Sequence, residues 1–95
     1  MRDYEALFIL KPKDDEGIEK AIASVLSTIE KNKGKVNNQE NWGKQNIAFK
    51  IKKEKEGVYY KLHFSAEPSA IKDMEAAYRL NSDILRSMFI ARESK

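Results

Sequence analysis

The chain has no cysteine, and among its 95 residues it has only two prolines, one tryptophan and one histidine. The missing thiols exclude disulfide scaffolds, thiolate zinc sites, iron–sulfur clusters and cysteine nucleophiles, and they fit a cytoplasmic chain. His63 has no carboxylate at ligand spacing along the chain, so no metal role is expected of it. Long apolar runs are also missing. The longest, Ala6–Leu10, has the length of a strand, far short of the roughly 18–20 residues of a membrane span. Met1-Arg2-Asp3-Tyr4-Glu5 carries charge where a signal peptide would be apolar, which disfavours secretion. Gly17, Gly34, Gly43 and Gly57 are isolated and make no phosphate cradle. Serine, histidine and aspartate occur in no recognisable nucleophile setting. Asp14-Asp15-Glu16 and Glu54/Glu56 read as a helix cap and a turn rather than as acid–base pairs. No catalysis and no cofactor are therefore expected.

What remains is enough for one small domain over residues 1–95, since a domain takes about 100–200 residues. Apolar residues make up 41 % of the chain, charged residues 35 %, and the mean hydropathy is −0.68. That composition suits one two-layer core under a heavily solvated surface. The net charge of +3 and pI near 9.1 form a mild basic bias. It permits a nucleic-acid partner without requiring one.

Residues 2–10 read as a strand with Tyr4, Ala6, Phe8 and Leu10 on one face. Lys11-Pro12-Lys13 ends it. Asp14-Asp15-Glu16 opens a helix whose stripe is Ile18, Ile22, Val25, Leu26 and Ile29, and Gly34 is expected as its left-handed cap. An uneven extended segment runs from Lys35 to about Lys53, with Trp42-Gly43 as a bulge and Ile47, Phe49 and Ile51 alternating with Ala48 and Lys50. A charged turn over 52–57 leads into a returning strand with Val58, Tyr60, Leu62, Phe64 and Ala66 on one face. Pro68 suits the first turn of a second helix striped by Ile71, Met74, Ala77 and Tyr78, ending near Leu80-Asn81. A last strand spans Asp83 to Arg92, and the tail Glu93-Ser94-Lys95 is expected to fray. The order β-α-β-β-α-β predicts an α+β, ferredoxin-like fold: a four-stranded antiparallel sheet with both helices on one face.

The other face is then uncovered. Parity assigns it Leu7, Ile9, Tyr59, Lys61 and His63, with Met88 and Ile90 from the last strand and Phe89 turned inward. Leu7, Ile9, Tyr59, Met88 and Ile90 are expected to form one apolar patch for a protein partner, against the plain alternative of scattered exposed apolars. His63 is expected to be a solvated strand histidine. An RNA-recognition motif is poorly matched. Its basic-Gly-aromatic run meets Glu56-Gly57-Val58-Tyr59-Tyr60, which starts acidic and turns Tyr60 toward the helices. Lys44, Lys50, Lys52, Lys53, Lys55 and Lys61 load one hairpin with positive charge. They form either a solvated turn or a phosphate-neutralising arm.

Four stretches resemble the bacterial small-subunit ribosomal protein six family over about residues 2–92. They are Arg2-Asp3-Tyr4-Glu5 with Leu7–Pro12; Trp42-Gly43-Lys44 with Ile47–Ile51; Glu56–Tyr60; and Tyr78-Arg79-Leu80-Asn81-Ser82-Asp83-Ile84-Leu85-Arg86. The resemblance implies a ferredoxin-like fold and a cytoplasmic, ribosome-bound protein of the central platform. It implies binding to 16S ribosomal RNA together with small-subunit protein eighteen, with no membrane and no small-molecule substrate. Carried over by position, Arg2, Lys44, Arg79, Arg86 and Arg92 are the expected rRNA contacts, made to phosphates rather than bases. Gln45 and Asn46 stand where the family often has basic residues, and no contact is expected from the extended tail that many members carry. Trp42 is read as either a core plug at the bulge or a partner contact, with the structural role favoured. The rival readings are a protein-interaction module of the same fold, using the apolar patch, and, more distantly, an acyl-phosphate hydrolase. The hydrolase would want an arginine phosphate loop where Lys11-Pro12-Lys13 stands.

Overall fold

Period-two alternation in the opening residues becomes β1, Arg2–Leu10, at the centre of a four-stranded antiparallel sheet. The computed structural model describes residues 1–51 and 53–92, with side chains described for all of these except 48–51. The side-chain expectations for Ala48, Phe49, Lys50 and Ile51, and those for Lys52 and the tail 93–95, lie outside what is described. The remaining elements are α1 (Asp15–Lys31), β2 (Lys35–Ile51), β3 (Glu54–Ala66), a 3-10 turn (Pro68–Ala70), α2 (Ile71–Leu80) and β4 (Ile84–Arg92). The sheet order is β2-β3-β1-β4, the ferredoxin-like arrangement that the alternation of elements predicts.

One face of the sheet is sealed. Ala6, Phe8 and Leu10 of β1 and Leu62, Phe64 and Ala66 of β3 are fully buried, and Tyr4, Val58 and Tyr60 nearly so. They pack on Ala21, Val25 and Ile29 of α1 and on Met74 and Tyr78 of α2. Phe8 is the hub. Its ring meets Tyr78 edge-on at 4.9 Å and Phe89 at 6.3 Å, geometries that add to simple area burial. Phe89 therefore turns inward, while Ala77 of the expected α2 stripe is exposed. The Tyr78 hydroxyl donates to the Val25 carbonyl at 2.8 Å, fastening α2 to α1.

The helix ends follow local chemistry, with one difference from expectation. The Asp14 carboxylate accepts from the Gly17 amide at 2.8 Å and caps α1. At the other end the left-handed residue is Lys33 (φ 61°), not Gly34. Lys33 N–H donates to Glu30 and Gly34 N–H to Ile29, which makes a Schellman closure with lysine in the glycine seat. Gly34 is needed for space, because a Cβ there would lie 2.8 Å from Ile29 Cγ2. The 52–57 turn is also tighter than expected. β3 begins at Glu54, paired with Ile51, and Lys53 takes a positive φ of 70°.

Candidate nucleic-acid and partner interface

Strand register arranges the open face in rows across β4, β1, β3 and β2. Arg86, Ile9, Tyr59 and Gly43 share one row; Met88, Leu7, Lys61 and Glu40 the next; Ile90, Glu5, His63 and Asn38 the third. The expected patch residues thus stand on one face, but unequally. Leu7, Tyr59 and Met88 are half-buried and Ile90 is 60 % exposed. Ile9, in contrast, is only 5 % exposed and offers almost no surface. The closely approaching backbone of Gly57 covers it, with Ile47 alongside.

Of the two roles open to Trp42, the favoured core plug is not what the structure places there. The register slips between Asn41 and Gly43, Gly43 takes a φ of 79°, and Trp42 is the extra residue of the bulge. Its indole is 45 % exposed. It walls a small pocket of about 130 Å³ together with Leu7, Ile90, Lys61 and Glu5. The Lys61 ammonium sits 5.7 Å from the indole centroid, within cation–π range. Alternation could not reveal this, because a bulge breaks the parity on which the reading depends.

Beside the apolar rows lies a charged one. Glu5 Oε1 receives Lys61 Nζ at 3.3 Å, His63 Nδ1 at 3.3 Å and Arg92 Nη1 at 3.4 Å. His63 Nε2 lies 3.2 Å from Glu40 Oε2. His63 is therefore held between two carboxylates rather than solvated. Both come from neighbouring strands, which spacing along the chain could not show. A neutral imidazole has one N–H, so only the protonated ring donates to both. Hydrogen bonds from His63 and Trp42, with Lys61 adding its charge, hold the Glu40 carboxyl below the usual carboxylate range. Among the described residues, no three potential ligands gather into a metal site.

The five expected rRNA contacts do not converge on one spot. Arg2 begins β1 opposite Ala66, with the parity of the helix-covered face. Lys44 stands opposite Val58 and borders a groove with Asp15, Ile18 and Glu19 of α1. Arg92 ends β4 and faces Glu5. Only Arg79 and Arg86 come together. They line a cleft of about 250 Å³ between α2 and β4, with Glu75, Tyr78, Leu85 and Ser87. Of the described hairpin lysines, Lys44, Lys53 and Lys55 are exposed, while Lys61 is half-buried beside Glu5. No helix among the described residues is long and apolar enough to cross a membrane.

The family model described as Ribosomal protein S6 matches residues 3–91. The small ribosomal subunit protein bS6 of Helicobacter acinonychis (strain Sheeba) is 43 % identical over 96 residues, covering all of this chain and 68 % of that protein. The bS6 protein of Desulforamulus reducens is 35 % identical over 91 residues, covering 95 % of this chain and 96 % of that one. The crystal structure of 30S ribosomal protein S6 from Thermotoga maritima superposes with a TM-score of 0.89 at 32 % identity, over 96 % of this chain and 87 % of that one. The C-terminal domain of MgtC from Mycobacterium tuberculosis shares the fold alone, with a TM-score of 0.65 at 12 % identity over 98 % of this chain and 89 % of that one.

Proposed function

The chain belongs to the ribosomal protein S6 family, and on that premise we propose that it is a structural constituent of the small ribosomal subunit. In this reading it binds 16S ribosomal RNA in the central platform together with small-subunit protein eighteen. It supports translation by holding RNA and protein in place, and its family is non-enzymatic. The observation that carries the reading is the one-sided sheet. Both helices pack on one face, and the other presents Leu7, Tyr59, Met88 and Ile90, with Arg86 and Arg92 along the adjoining edge strand. An apolar surface flanked by arginines suits a site where a protein and an RNA backbone meet. Leu7, Tyr59, Met88 and Ile90 face the protein partner, with Ile9 supporting them from beneath. Arg2, Lys44, Arg79, Arg86 and Arg92 supply contacts to phosphates.

Sedimentation of a cell extract through a sucrose gradient tests the ribosomal assignment, because the protein should travel with small subunits. Recovery only in the soluble fraction refutes it. Mixing the purified chain with 16S fragments, with and without protein eighteen, tests the finer reading. Retention should be strongest when both are present.

A further inference from the structure

Of the five basic positions, Arg79 and Arg86 alone share a cleft, and neither makes an ion pair among the described residues. The short turn between α2 and β4, the elements that carry them, is held by hydrogen bonds. Asn81 N–H donates to the Tyr78 carbonyl at 3.1 Å, Ile84 N–H to the Asn81 carbonyl at 3.1 Å, and the Asn81 side chain accepts from Asp83 N–H at 2.9 Å. The Lys11 amide donates to the Asp83 carbonyl at 2.8 Å, tying the turn to the end of β1. Lys13 pairs with the Asp83 carboxylate, so the nearest acid on the turn is already neutralised. Arg79 follows Tyr78, which is anchored by its hydroxyl to α1. Two guanidinium-bearing residues are thus mounted on rigid elements around one opening. Among the described residues, Glu75 is the only acidic one lining it.

We propose that Arg79 and Arg86 act as one clamp on a single RNA backbone phosphate seated in this cleft. The proposal rests on the RNA-binding reading above and adds to it that two arginines serve one anion. Guanidinium groups suit this task, because each offers paired N–H donors that match phosphate oxygens. Backbones already held in place on α2 and β4 also lower the ordering cost on binding. The Glu75 carboxylate opposes the anion and weakens the site.

The test measures binding of the full chain to a 16S central-domain fragment, with protein eighteen present, across a series of salt concentrations. The variants are Arg79→Ala, Arg86→Ala, the double variant, Glu75→Gln and, as a charge-matched control, Lys31→Ala. Each single arginine variant should bind about ten-fold more weakly. The double variant should bind little worse than the poorer single one, because the two side chains share a ligand. In single and double variants alike the slope of log K against log salt should become shallower by no more than about 0.7–0.9, the share of one phosphate. Glu75→Gln should tighten binding and Lys31→Ala should leave it unchanged. Arg79 and Arg86 are both exposed, so thermal unfolding should be unaltered.

Additive losses with a slope change of two phosphates would replace the clamp by two separate contacts. Wild-type binding and slope in all arginine variants would overturn it while leaving the RNA-binding reading intact. Loss of binding to protein eighteen in the absence of RNA, with the salt slope unchanged, would reassign the cleft to an acidic protein segment. Failure of the unaltered chain to bind the fragment would bring down the RNA-binding reading and the clamp together.

Discussion

A Cβ placed on Gly57 would stand 2.5 Å from Cγ2 of Ile9, so these two residues interlock on the open face of the sheet. The Leu10 carbonyl and the Ile47 Cδ1 would each lie 3.3 Å away. Ile9 is buried and its branched side chain has no free space to swing into. Gly57→Ala should therefore cost about 1–3 kcal/mol through overpacking, seen as a lower denaturant midpoint. In an Ile9→Ala background, which removes Cγ2, the same substitution should cost clearly less. A coupling energy near zero in this cycle would show that the two do not interlock.

At the end of α1 the two adjacent residues have opposite needs. Lys33 holds a left-handed φ of 61° that glycine adopts freely. Lys33→Gly should stabilise by up to about 1 kcal/mol, as strain relief outweighs the added freedom of the unfolded chain. Gly34→Ala should destabilise, because its Cβ would meet Ile29 Cγ2 at 2.8 Å and two carbonyl oxygens at 3.2 Å. Thermal unfolding of the two variants should shift in opposite directions. A shift of the same sign in both would refute this division of roles.

Tyr78 couples the two helices and makes the fold alkali-sensitive. Burial, with Tyr60 adding to it, pushes its phenol well above the ordinary tyrosine value. Above about pH 10 an unfolded chain loses the phenolic proton that the folded chain keeps. Stability then falls as pH rises, by up to about 1.4 kcal/mol per pH unit for each such tyrosine. Burial raises Tyr60 as well, so it contributes in the same direction. Tyr78→Phe should cost about 0.5–1.5 kcal/mol at pH 8, where only the hydrogen bond to Val25 is lost. By pH 11 that deficit should shrink, since phenylalanine has no proton to lose. Parallel stability curves from pH 8 to 11 would contradict the argument.

How much of this was legible in the sequence depends on the range of the interaction. Tyr4, Ala6, Phe8 and Leu10, and Val58 through Phe64, reveal their face by alternation alone, because a half-covered sheet must repeat every two residues. Asp14 announces its cap because the bond it makes spans three residues. The hidden features are those set by partners distant along the chain. His63 meets carboxylates 58 and 23 positions earlier, at Glu5 and Glu40. Ile9 reads as surface because the residues that bury it arrive on the β2–β3 hairpin. Trp42 is displaced by a bulge, and a one-residue slip reverses every face assignment beyond it. Among the basic residues, composition marks all five alike. Only the fold separates Arg79 and Arg86, which share a cleft, from Arg92, which faces Glu5.

The burial of Ile9 decides how the partner face should be tested. A polar residue at position 9 would destabilise the fold and could not distinguish lost binding from lost structure. Met88 and Ile90 avoid that problem, since they project from an edge strand and Ile90 is largely exposed. Ile90→Thr keeps the β-branch that suits a strand, and Met88→Gln keeps an unbranched chain of similar length. Trp42→Ala removes the wall of the neighbouring pocket, and exposed tryptophans are frequent anchors of protein interfaces. The double variant Met88→Gln/Ile90→Thr should unfold within a few degrees of the unaltered chain, yet bind protein eighteen at least about ten-fold more weakly. Trp42→Ala should weaken binding to a similar extent. RNA-independent association measured by calorimetry separates this effect from phosphate contacts, because losing apolar surface should reduce the negative heat-capacity change and leave the salt dependence nearly unaltered. Full-strength binding by all of these variants would move the protein partner off the open face and leave the arginine contacts to be judged on their own.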